Sequence, residues 1–164
     1  MEERSEVRLG SGEGTAFARG MENADLLGMS KPIPEIQKHM TPSPHSIGAE
    51  QTLARAHAVM QEHNIRHLPV LHGGRLVGII TDRDVHLLES LKDVDPRLVT
   101  VSDAMAQTVY SVAPETPLDE VAREMAKHKY GSAVVMQNQK VVGVFTTVDA
   151  CNALADLLHS RLAK

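Results

Sequence analysis

The chain has 164 residues and a mass of 17.9 kDa, which fits one compact domain or two small modules sharing a core, because domains commonly run about 100–150 residues. Hydrophobic residues make up 42% and charged residues 23%, an ordinary globular balance, and no apolar run approaches the roughly 20 residues of a membrane helix. The net charge of −4 is concentrated at the start, where residues 1–30 hold six acids and three arginines and leave the remainder nearly neutral, so the basic footprint and aromatic platforms of a nucleic-acid binder are missing.

The opening residues, Met1 to Glu6, lack the basic and apolar regions of a signal peptide, and the one cysteine, Cys151, has no internal disulfide partner. A reducing cytoplasm is the expected setting, with neither a membrane nor a nucleic acid as partner. Residues 1–30, rich in Glu, Arg and Gly, bury too little apolar surface to offset ordering entropy and are expected to form a flexible tail.

From residue 31 onward the elements come in a repeating order. A Met-containing turn around Met40 leads to a short extended pair, Ser46-Ile47. Leu53, Ala56 and Met60 then lie at i, i+3, i+7, one buried helical stripe opening after Thr52. His67 to Leu71 and Arg75 to Ile80 are expected as strands joined at His72-Gly73-Gly74, and a helix should follow Thr81. Asp93, Asp95 and Pro96 suit a linker. The same order returns with Met105, Ser111-Val112, a helix carrying Leu118, Val121 and Met125, strands over 132–136 and 140–145, and a helix from Thr146 to about Leu162.

Sliding the chain on itself by 65 residues without a gap superposes 36–86 on 101–151 with 11 identities, among them Met40/Met105, His63/His128, Gly78/Gly143, Thr81/Thr146 and Asp84/Asp149. A unit this small cannot cover its own apolar sheet face, so the expected fold is α/β (α+β): two repeats with small sheets packed face to face and helices outside, divided as 31–93 and 94–164.

Tandem Met-Thr/Ala turns, Leu68-Pro69-Val70 and the pattern Gly-h-h-Thr-x-x-Asp at Gly78–Asp84 and Gly143–Asp149 resemble the cystathionine β-synthase (CBS) domain pair, or Bateman module, over roughly residues 33–160. The second copy departs from the pattern, with Ala133-Val134-Val135 in place of Leu-Pro-Val and Met105-Ala106 in place of Met-Thr. The resemblance implies a regulatory module without catalysis that holds an adenosine ligand (AMP, ADP, ATP, or S-adenosylmethionine or NAD) between its repeats and modulates a separate, unidentified protein partner. It also implies association into a homodimer. By the same resemblance Asp84 and Asp149 would accept the ribose hydroxyls, and Thr81 and Thr146 would offer a hydroxyl to phosphate. Gly78 and Gly143 would allow close backbone packing. The adenine would be read near Ser43, His45, Ile65, Arg66, His67 and Pro69, and near Thr108, Tyr110, Tyr130 and Ser132.

Two alternatives stand beside this reading. Thr-x-x-Asp is also a capping box that stabilises a helix start without any ligand, and the whole chain could be a structural dimerisation module with empty clefts. The copies also differ: Asp82-Arg83 and Arg66-His67 in the first stand where the second has Thr147-Val148 and Gly131-Ser132. Arg83 beside Thr81 therefore predicts that the first-repeat cleft prefers the more phosphorylated ligand. Metal is not expected, because the helix carrying His63 should end near Asn64 and take His67 off its face.

Overall fold

The computed structural model describes residues 32–162, with side chains to Ser160; the tail expected over 1–30 lies outside the described residues. In the unit that begins at Pro34, a single 3-10 turn, Ile36–Lys38, precedes β1 (Thr41–Pro42), β2 (Ile47–Gly48), α1 (Leu53–Glu62), β3 (His67–His72), β4 (Arg75–Thr81) and α2 (Asp82–Glu89). The second repeat supplies α3 (Val101–Ala104), β5 (Ser111–Val112), α4 (Leu118–His128), β6 (Ser132–Gln137), β7 (Lys140–Thr146) and α5 (Thr147–Leu162).

Local sequence accounts for the boundaries. Thr52 caps α1 by accepting the Arg55 N–H at 3.2 Å, and Asn64 (φ 50°) and Lys129 (φ 58°) turn the chain left-handed after α1 and α4. Gly73 and Gly74 sit at φ 55° and 77°, the positive values that a two-residue hairpin turn requires; Asn138 and Gln139 adopt the same turn between β6 and β7. Both hairpins also shift register at the same place, Val70/Leu71 and Val135/Met136. The repeat thus extends to backbone irregularities.

The sheets are β2-β3-β4 and β1-β7-β6-β5. Three successive residues in the middle of β3 and three in β6 are buried, so both faces of each sheet are covered. Leu68 and Val70 point into one core with Leu53, Met60 and Ile80, while Ala133 and Val135 point into a second core with Val121, Met125 and Phe145. That leaves Pro69 and Val134, both fully buried, on the opposite faces, where the two sheets meet.

The leading segment of each repeat packs into the core of the other. Ile36 is wholly buried in the second repeat's core, and Val101 in the first repeat's core. The leading segments exchange sheets: Thr41 and Pro42 of β1 pair antiparallel with Val144 and Gly143 of β7, and Ala106 forms a two-way backbone bridge to Ile79 of β4 at 2.9 Å. Gly143 and Gly78 make this possible. A Cβ at either position would run into the thioether of Met40 or Met105 respectively, so the glycines permit the close packing expected of them, and their partner is the crossing methionine.

Helix α3 was not expected. Its signal is local, since Thr100 and Asp103 form a capping box with Thr100 Oγ1 to Asp103 Oδ2 at 2.7 Å. No described helix is long and apolar enough to cross a membrane.

Candidate ligand-binding cleft

The crossing of β1 decides which residues meet. After Pro42 the chain carries Ser43 at φ 47°, a left-handed value that costs a serine energy, with its N–H bonded to Val142 O at 3.0 Å. This turn hangs Ser43, Pro44 and His45 beside the start of α5. From the first repeat, the segment between α1 and β3 brings Asn64, Ile65, Arg66 and His67 to the same place. Together with Asp82, Gly131, Val144 and Thr146 to Asp149 they line a cleft of about 810 Å³, within the roughly 300–1,000 Å³ typical of small-molecule sites.

Seven of the expected site residues therefore converge: Ser43, His45, Ile65, Arg66, His67, Thr146 and Asp149. Their grouping differs from the sequence expectation. Arg66 and His67 face the Thr-x-x-Asp of the second repeat, whereas Thr81, Arg83 and Asp84 do not line this cleft, and neither do Thr108, Tyr110, Tyr130 and Ser132. The physical reason is the exchange of leading segments between sheets. Arg83, the basis of the expected phosphate preference of the first-repeat cleft, is exposed and lies off this lining. Pro69 is sealed between the sheets and cannot touch a ligand there.

Both Thr-x-x-Asp motifs are capping boxes. Thr146 donates both its N–H and its Oγ1–H to Asp149 Oδ2 at 2.7 Å, and Thr146 Oγ1 accepts the Asp149 N–H at 3.4 Å. Thr81 and Asp84 repeat the arrangement at 2.9, 2.7 and 3.3 Å. The threonine hydroxyl protons are thus committed to the aspartates, so in this geometry neither threonine can donate to a phosphate. The exposed Thr147 hydroxyl in the cleft lining has no described partner. Asp149 uses only Oδ2; its Oδ1 accepts no hydrogen bond from any described residue, leaving an anionic acceptor at the cleft for a diol.

The charges around the cleft are uneven. Arg66 makes no ion pair among the described residues, and Asp82 is fastened to its backbone by an N–H to Arg66 O bond of 3.1 Å. Burial pushes the His67 imidazole below its ordinary pKa, with Asp82 opposing that shift, Arg66 adding to it, and Asp84 and Asp149 again opposing it. His45 stacks on His63 with ring centroids 3.6 Å apart. In the second repeat their counterparts, Tyr110 and His128, each stack on Tyr130, at 5.4 Å and 5.3 Å; burial raises the Tyr110 pKa, aided by Glu124 and Glu120. Among the described residues no three His, Cys, Asp or Glu side chains converge as metal ligands.

The CBS domain family profile matches residues 33–88 and 101–156. The chain is a tandem CBS domain pair. It is 27% identical over 137 residues to the CBS domain-containing protein YhcV of Bacillus subtilis, covering 77% of this chain and 97% of that protein. The structure of AcuB from Vibrio cholerae superposes with a TM-score of 0.71 at 28% identity, over 81% of this chain and 98% of that one. The CBS domain pair of protein MJ0100, solved with 5′-methylthioadenosine and S-adenosyl-L-methionine, superposes with a TM-score of 0.70 at 26% identity, over 77% of this chain and 99% of that one. The CBS pair accounts for the folded architecture described above, two small sheets with five helices.

Proposed function

We propose that this CBS pair is a regulatory module that binds an adenosine-bearing small molecule without transforming it and passes its occupancy to a separate protein partner, acting as a cytoplasmic homodimer. The observation that carries the reading is the cleft itself: the free Oδ1 of Asp149 lies in one lining with the Ser43–His45 turn and the Ile65-Arg66-His67 segment. In this reading Asp149 accepts the ribose diol, and the base lies against Ile65 and the backbone of the two segments. Ligand chemistry observed in the MJ0100 pair supports the adenosine class, with AMP, ADP, ATP, S-adenosylmethionine and NAD as the candidates.

The Ala106–Ile79 bridge mirrors the β1–β7 pairing. A counterpart site would accordingly combine Thr108, Tyr110, Tyr130 and Ser132 with Thr81, Arg83 and Asp84, and its stacked tyrosines would make it the more aromatic of the two. Catalysis has no support in the described cleft: the lining hydroxyl that is bonded to a lining carboxylate, Thr146 to Asp149, is engaged in the helix capping box.

Thermal denaturation of the purified chain with each candidate ligand tests the reading. A ligand at 100-fold its dissociation constant adds about 2.7 kcal/mol, which raises the melting temperature by roughly 5–10 °C for a chain of this size. A panel that moves nothing would leave the structural dimerisation module as the better account.

A further inference from the structure

Asp82 is the cleft residue for which adenosine binding, as described so far, has no use. It is half-buried, lines the same cavity as Asp149 and Arg66, and its carboxylate makes no hydrogen bond or ion pair with a described residue. Its backbone N–H, held by Arg66 O, fixes it at the rim where Arg66 begins. The equivalent residue of the second repeat is Thr147, held in the same way by Gly131 O at 3.2 Å and lining the same cleft. A neutral hydroxyl and a carboxylate therefore occupy the two pseudo-equivalent positions of one cavity.

The fixed charges of the lining are one guanidinium, Arg66, against two carboxylates, Asp82 and Asp149. Asp149 can be satisfied by a neutral diol. Asp82 then remains to oppose negative charge on the rest of the ligand, and His67 adds no fixed positive charge because burial favours its neutral form. Each added phosphate brings about one more negative charge into a site where two carboxylates already stand against one guanidinium, and like charges at close range in a partly buried site repel strongly.

We propose that Asp82 is a specificity-determining residue that makes the described cleft select adenosine ligands with a short or zwitterionic 5′ substituent and turn away di- and triphosphates. This deepens the proposed function and rests on it. It concerns the described cleft alone; the preference for longer phosphates that Arg83 suggested attaches to the counterpart site, since Arg83 is off this lining.

Isothermal titration of the full chain in magnesium-free buffer with adenosine, AMP, ADP and ATP tests the inference. Wild type should bind ATP at least about tenfold more weakly than AMP, with ADP between. Asp82→Asn should bring ATP to within about threefold of AMP while adenosine affinity stays unchanged; Asp82→Ser, a good residue for a helix start, repeats the measurement should the amide disturb α2. Raising the ionic strength should narrow the wild-type gap as screening shortens the reach of Asp82. ATP binding as tightly as AMP, or an ATP-to-AMP ratio unchanged in both variants, overturns the inference while leaving adenosine recognition standing. Failure of all four ligands, adenosine included, overturns both the inference and the functional reading beneath it.

Discussion

Asp149 is asked to do two things at once, and the fold contains its own control for separating them. Thr100 and Asp103 form the same capping box at α3, Oγ1 to Oδ2 at 2.7 Å, and neither residue lines the cleft. Asp103→Ala and Asp149→Ala each remove the reciprocal side-chain acceptor of a helix start, a loss of about 0.5–2 kcal/mol, or a few degrees in melting temperature for a protein of this size. Only Asp149→Ala also removes a free Oδ1 from the cleft. Losing a charge-assisted hydrogen bond to a ribose hydroxyl costs a further 1.5–3 kcal/mol or so, about 10- to 150-fold in dissociation constant. Melting without ligand and titration with the tightest ligand of the thermal panel should therefore show matched stability losses and a binding loss confined to the Asp149 variant. Equal ligand affinity in wild type and Asp149→Ala would refute the diol role and leave the aspartate as a cap alone.

Further outcomes follow from the packing and from His67. Gly143→Ala should cost about 1–3 kcal/mol by urea denaturation because its Cβ meets the Met40 thioether, and adding Met40→Ala should recover part of the loss that a simple backbone effect would leave in place. Phe145, wholly buried in the second core, should cost about 3–5 kcal/mol when cut to alanine. Because the His67 pKa is lower folded than unfolded, the unfolded chain binds more protons between those two values. Stability is consequently intact above about pH 6.5 and falls as the pH drops through that window. His67→Gln should flatten this part of the profile in ligand-free denaturation curves at pH 5 to 8, and an unchanged slope would remove His67 from the account.

Much of the fold was legible because it is written in short-range periodicity. The stripe of Leu53, Ala56 and Met60 and the glycine pair at 73–74 act over a few residues, and the 65-residue offset then doubles every such signal. Helix α3 was legible in principle too, from Thr100 and Asp103 as a capping box, but with four residues it has no apolar stripe to announce it. The site is another matter. Asp84 and Asp149, with their threonines, stand out at once, yet which aspartate faces Arg66 depends on where β1 docks, and that depends on an edge of β7 about a hundred residues away.

Nothing local to Met40 says that its thioether will sit against Gly143 and not Gly78. The two sheets offer nearly the same edge to either leading segment, so a pattern repeated in register is compatible with each segment closing on its own sheet or crossing to the other. The burial of Ile36 with Phe145, and of Val101 with Ile80, decides for crossing. The same crossing makes the described cleft a composite of both repeats: one supplies its arginine and histidines, the other Asp149. A change at the Met40–Gly143 contact should therefore displace the Ser43–His45 turn relative to Asp149, which would couple the packing of the sheets to the shape of the cleft.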